Sequence, residues 1–304
     1  MRLYAFRDDG GRSLVGRLDG DEVVVAQDWV DDLSLAALDD LEGVLAIQAR
    51  DDEAEAARYP LGGLTPAPAV GAPRKIVCVG LNYREHVAEG GRGLPTRPIL
   101  FAKFANTVIA DRDAIVRPPG THALDLEVEL GVVIGRKARR VPKERAMEHV
   151  AGYVVVNDVS ARDWQGNPAA LQPGEKGDGQ WLRAKGSDTF LPMGPVFVTA
   201  DALDPGAGLR LRSWRITPDG VEHPMQDGTT ADMIWEVPAL IEFISAAITL
   251  EPGDVIATGT PSGVGVFRDP PVFFEPGDRM RCEIEGIGAV ENPIVDWTED
   301  ARDA

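Results

Sequence analysis

Between residues 124 and 135 acidic and apolar residues alternate, with Asp125, Glu127 and Glu129 set against Leu126, Val128 and Leu130. Side chains two apart share one face of a strand, so this pattern predicts a strand with three carboxylates on one side. At a rise of roughly 3.3 Å per residue, Glu127 and Glu129 sit about 6–7 Å apart, close enough to repel unless something neutralises them. A hard divalent cation taking oxygen ligands would do so. An edge strand with one wet acidic face is the plainer alternative. The apolar run at 152–156 delivers Asn157-Asp158. If the two strands are neighbours, Asp158 completes a three-carboxylate site suited to magnesium or manganese.

Other residues could do chemistry beside it. His86 and Glu89 lie three apart after a Gly-Leu-Asn-Tyr turn. On one helical turn they share a face, where a carboxylate can orient an imidazole as a general base; a surface ion pair is the competing reading. Lys103 ends an apolar run at 98–104 and faces either substrate or solvent, and Lys185 lies in a Gly/Ser-flanked turn. The Gly-rich segment 259–265, with Thr260, can present donors to a small anion, but it has no P-loop lysine, so a nucleotide is not expected.

The elements that must position these groups are short strands at 75–79, 98–104 and 152–156, helices over 141–149 and 231–248, and a hairpin turning at Pro218-Asp219-Gly220. Thr230 is expected to cap the second helix and Pro238 to kink or split it. Residues 167–180, with three Gly and two Pro, read as a lid loop. Strands at 3–6, 13–18 and 22–26 and a helix over 41–57 form a small α/β unit. A Pro/Gly-rich linker then sets a boundary near residue 70, giving a 1–70 amino-terminal domain and a 71–304 catalytic domain.

Composition bounds the rest. The 304 residues carry 33 Gly, 23 Pro and only 6% aromatics, which favours a strand-rich, loop-rich globular chain. A net charge of −18 argues against nucleic acid or an anionic membrane as partner. Two cysteines without zinc spacing indicate neither a disulfide framework nor a zinc site. No apolar run approaches a membrane span, and no signal-peptide core is present, so a cytoplasmic protein is expected.

From about Lys75 to Asn292 the chain resembles the fumarylacetoacetate hydrolase family. The resemblance rests on Val79-Gly80-Leu81-Asn82-Tyr83 with His86 and Glu89, and on Leu124-Asp125-Leu126-Glu127-Val128-Glu129-Leu130. It continues through Asn157-Asp158-Val159-Ser160-Ala161-Arg162-Asp163, Lys185, Gly194-Pro195, Pro252-Gly253-Asp254, Gly259-Thr260-Pro261 and Gly263-Val264-Gly265. It implies a mixed α+β, strand-rich fold, a β-sandwich or β-roll with flanking helices, and a homodimer. It also implies that Glu127, Glu129 and Asp158 hold Mg2+, with Mn2+ or Ca2+ as substitutes. His86, oriented by Glu89, would activate water. Lys185 and Gln165 would donate to the oxygen gaining charge, and Thr260, Arg162 and Lys103 would bind the substrate.

The expected reaction is hydrolysis of a carbon–carbon bond in an acylpyruvate-like β-diketo acid through an enolate held by the cation. The alternative is an isomerase or tautomerase, decarboxylase or hydratase of a 2-oxo acid on the same fold. A metal-binding sensor without turnover is a third reading, against which a positioned base weighs. Two departures bear on the substrate. The 167–180 segment is longer than in compact members, and the hairpin at 212–226 carries Ile216-Thr217-Pro218-Asp219-Gly220 where Asn-Gly-Glu is common.

Overall fold

The computed structural model describes residues 1–25 and 57–298. Its centre is the strand Val128–Ile134, every residue of which is buried. This strand pairs antiparallel with Val150–Asn157 on one side and with Val255–Ala257 on the other. The acidic stretch is therefore interior to the sheet, and the wet edge strand is excluded. A parallel ladder joins Val255–Ala257 to Ile76–Gly80, whose other neighbour is Ile99–Lys103. The 141–149 segment that connects the central pair is a 3-10 turn over Lys143–His149 rather than an α-helix.

Among the described residues the sheet has eleven strands. Arg2–Arg7 extends it by pairing with Val196–Thr199, and Ser13–Asp19, Glu22–Val25 and Ala57–Pro60 follow outward. The amino-terminal strands are thus joined to the rest through a continuous ladder. The helix expected over 41–57 falls mainly outside the described residues; Ala57 itself begins a strand.

A second sheet of five strands, including the hairpin Arg210–Ile216 and Glu222–Thr229, covers one face of the central strands. Alternation decides which side chains meet it. Val128, Leu130, Val132 and Ile134 join Leu211, Met280, Cys282 and Ile284 in one core, whereas Val133 packs on the opposite face with Ile76, Cys78, Val154 and Val156. Glu129 has the parity of Val133, and burial of the intervening aliphatics, roughly 1.5–3 kcal/mol each, fixes the register that sends it there.

Two local expectations are resolved. Of the two outcomes expected at Pro238, the structure shows the split: a 3-10 turn, Thr230–Asp232, and a separate helix take the place of one kinked helix. Pro238 sits in the first turn of Val237–Ala247, where a missing N–H costs nothing. The preceding 3-10 turn, Thr230–Asp232, is capped by Thr229 rather than by Thr230. The Thr230 hydroxyl instead accepts from Leu209 N at 2.9 Å.

Candidate active site

Leu124–Asp125 and Val128–Ile134 are separate strands, and Glu127 lies in the break between them. Asp125 causes the break. Its carboxylate accepts from the backbone N–H groups of Leu126, Gly265 and Val266 and from Arg162 Nε, all at 2.8–3.1 Å. The three acids of this stretch therefore do not point the same way, because four donors hold Asp125 elsewhere. Glu127 is pinned by Asn157, whose Oδ1 accepts from Glu127 N, and by Asp158 N, which donates to Glu127 O. Through those bonds Asp158 comes beside Glu127 and Glu129.

One oxygen from each of Glu127, Glu129 and Asp158 lies within 4.8 Å of the others, and all three side chains are buried. Lys185, from the helix Trp181–Gly186, donates to Glu127 Oε2 and Asp158 Oδ2 at 2.7 Å each. Arg162 Nη2 lies 2.6 Å from Glu127 Oε1, and Gly259 N donates to Glu129 Oε2 at 2.8 Å. Burial would raise the Glu127 pKa, but the Lys185 and Arg162 charges outweigh it and hold it well below the usual carboxylate range. Glu129 is pushed well above that range by burial and by the Asp158 and Glu127 charges. Lys185 keeps its proton more tightly than a free lysine, because Asp158 and Glu127 overcome the cost of burying it.

Hard oxygen donors with one acid still short of positive charge are a fit for Mg2+ or Mn2+. Asp158 Oδ1 supports the fit, because it is buried and accepts no hydrogen bond. Lys103 Nζ lies 2.8 Å from it but spends its donors on the carbonyls of Val159, Lys185 and Phe190.

Beside the acids opens a cavity of about 180 Å³, below the ~300–1,000 Å³ that takes drug-sized ligands. Its lining includes His86, Glu127, Glu129, Arg162, Gln165, Lys185 and Thr260. His86 is buried on the helix Arg84–Glu89, with Nδ1 3.3 Å from Glu89 Oε2. Glu89 Oε1 in turn accepts from Gly263 N at 2.9 Å, tying that helix to the Gly-rich loop. Before the helix the chain turns through Leu81 at φ 55°, and Asn82 cross-links the turn to Thr258 O and to both backbone groups of Trp235.

Two expected substrate contacts are placed differently. Lys103 is buried behind Asp158 and is not among the cavity-lining residues, because carbonyl groups saturate its ammonium. Thr260 reaches the wall, but its hydroxyl donates to Val128 O and accepts from Gln226 Nε2, so its proton is committed inward. Gln165 gives its oxygen to Arg162 Nη1 at 3.1 Å, which leaves its NH2 for a ligand.

Sequence reasoning missed the apolar wall of Leu81, Phe101, Trp181 and Phe267, and also Arg92. None of these forms a periodic pattern. Only the Gly-Gly-Arg-Gly turn directly after the His86 helix could have drawn attention to Arg92.

Fold and site together set a buried cluster of three hard oxygen donors beside a small cavity. A sequence profile described as fumarylacetoacetate (FAA) hydrolase C-terminal matches residues 75–295, and the chain belongs to that family. It is 45% identical over 223 residues to the mitochondrial oxaloacetate tautomerase fahd2 of Xenopus laevis, a match covering 73% of this chain and 66% of that protein. Among solved structures, the fumarylacetoacetate hydrolase of Exiguobacterium antarcticum is 33% identical with a TM-score of 0.81. The 2-hydroxyhepta-2,4-diene-1,7-dioate isomerase of Mycobacterium marinum is 32% identical with a TM-score of 0.71. Each of these two matches covers 98% of this chain and 100% of the other. Among the described residues no helix is long and apolar enough to cross a membrane.

Proposed function

We propose that this enzyme interconverts the keto and enol forms of a small 2-oxo acid, using magnesium or manganese held by Glu127, Glu129 and Asp158. The observation that carries this reading is a single cavity lined by a carboxylate-oriented imidazole, a buried ammonium and two of the three acids. The name of the Xenopus relative favours tautomerisation over the hydrolysis expected from the sequence.

The cation would supply Lewis acidity toward the carboxylate and 2-oxo oxygens of the substrate. His86 takes a proton from the carbon next to the ketone, and Glu89 balances the charge that the ring acquires. Lys185 and the Gln165 NH2 donate to the oxygen that gains charge as the carbon–carbon double bond forms. The proton held by the His86 ring then passes to that oxygen, which gives the enol and restores the neutral imidazole, and the reverse sequence regenerates the ketone. The apolar wall of Leu81, Phe101, Trp181 and Phe267 limits water at the reacting carbon.

Carbon–carbon hydrolysis is the second reading, favoured by the His86–Glu89 pair, which could equally take a proton from water. One experiment separates the two. The protein is incubated with Mg2+ and either oxaloacetate or a panel of acylpyruvates, while enol absorbance and product mass are followed. Tautomerisation changes absorbance at constant mass, whereas hydrolysis yields two acids. Undiminished conversion in a fully chelated sample would overturn the metal role.

A further inference from the structure

We propose that Arg92 selects a second carboxylate on the substrate, so that the preferred ligand is a dicarboxylic 2-oxo acid. This inference rests on the reading of the site as a 2-oxo acid site.

The cations near the acid trio are already engaged. Lys185 is paired with Glu127 and Asp158, Arg162 with Asp125, Glu127 and Gln165, and Lys103 with three carbonyls. Arg92 differs from them. It lines the same cavity, its side chain is exposed, and its guanidinium makes no hydrogen bond or ion pair with any described residue.

Its backbone, by contrast, is fixed. Gly90 N donates to His86 O, Gly91 N to Ala88 O and Arg92 N to Val87 O, at 3.0–3.1 Å, and Gly91 at φ 63° supplies the left-handed residue that closes the helix. Gly90 also lies against the Phe267 ring, 3.3 Å from where a Cβ would stand. Arg92 is therefore anchored one turn beyond the base His86 and its partner Glu89. A 2-oxo acid that enters with its carboxylate and ketone oxygens toward the acids directs its far end to the solvent side, where Arg92 lies. The neighbouring wall is apolar, so an anionic far end has Arg92 as its only uncommitted charged partner among the lining residues. A chain of net charge −18 repels a dianion at long range, which makes one free guanidinium at the mouth effective in recruiting it. Its planar fork also suits a carboxylate.

The test compares oxaloacetate with its 4-methyl ester, which keeps the skeleton and removes the distal charge. For the full-length wild-type protein and the variants Arg92→Ala and Arg92→Lys with Mg2+, KM and kcat are measured for enol–keto interconversion. Kd is measured for both compounds by calorimetry. We expect the wild type to prefer the diacid. Arg92→Ala should shrink that preference about ten- to a hundredfold, carried by KM and Kd rather than kcat, with partial recovery in Arg92→Lys. An unchanged diacid-to-ester ratio in Arg92→Ala would overturn the inference. If the wild type interconverts neither compound, the proposed reaction falls, and the Kd ratio still decides the role of Arg92.

Discussion

Lys185 Nζ lies 2.7 Å from Asp158 Oδ2, with both side chains almost completely buried. A buried pair of this kind adds little when intact but is costly when halved, because the survivor is left uncompensated. Lys185→Met should therefore destabilise the cation-free protein by roughly 3–5 kcal/mol. Magnesium should restore part of the loss by supplying the missing positive charge, while turnover stays low. Thermal unfolding with and without Mg2+ checks both statements, and a variant as stable as wild type without the ion would contradict the first.

Glu129 leads to a pH effect. Its folded pKa is raised, by burial first and then by Asp158 and Glu127, above the ~4.3 of an unfolded glutamate. A raised carboxylate contributes stability that is fully present below the unfolded value and is lost as pH rises through the folded one. The cation-free protein should thus lose stability on that rise, and cation uptake should expel a proton. The Mg2+-induced increase in Tm is expected to grow as pH rises from the unfolded value toward the raised folded one. Calorimetric titration in buffers of different ionisation enthalpy should show proton release, and Glu129→Gln should abolish it.

His86 and Glu89 are separable by substitution. Removing the imidazole in His86→Ala should lower kcat by ~10²–10⁴. Glu89→Gln keeps an oxygen for Gly263 N but loses the negative charge facing the ring, so a smaller fall in kcat with little change in KM is expected. Steady-state kinetics of both variants decide the matter, and equal losses would mean that Glu89 acts through more than charge.

The 167–180 segment is tied down by His122. Its Nε2 lies 3.0 Å from Ala170 O and 3.7 Å from Glu175 Oε2, while Nδ1 lies 3.3 Å from the buried Asp163. His122→Ala should speed amide hydrogen exchange over 167–180 without altering exchange in Val128–Ile134. Unchanged protection of the loop would show that the Arg183–Trp164 stack, at 3.7 Å, suffices to hold it.

Glu129 was legible because strand alternation and burial act on every residue of 128–134, and Asp158 because it follows an apolar run that pairs with that strand; Glu127, in the break, is set by its bonds to Asn157 and Asp158. Asp125 was misread for a physical reason: alternation says which side a residue faces only while the strand continues, and four converging donors end it there. Lys103 was misplaced because a lysine at a strand end is usually solvated, whereas here three carbonyls from distant segments enclose it. Pro238 shows the same limit, since whether a proline kinks a helix or starts one depends on where the preceding chain turns. Arg92 left only a Gly-Gly-Arg-Gly turn, because its position follows from a helix closure that brings a loop residue to a cavity mouth.

Arg162, Lys103 and Lys185 offset Asp125, Glu127 and Asp158 inside the protein, and burial disfavours the charge on Glu129. The resting interior is thus close to electroneutral. A divalent ion that arrives alone leaves an excess of positive charge in a medium that screens poorly, and an anionic ligand relieves it. Ion and acid should consequently load as thermodynamic partners, each raising the affinity for the other by the same factor.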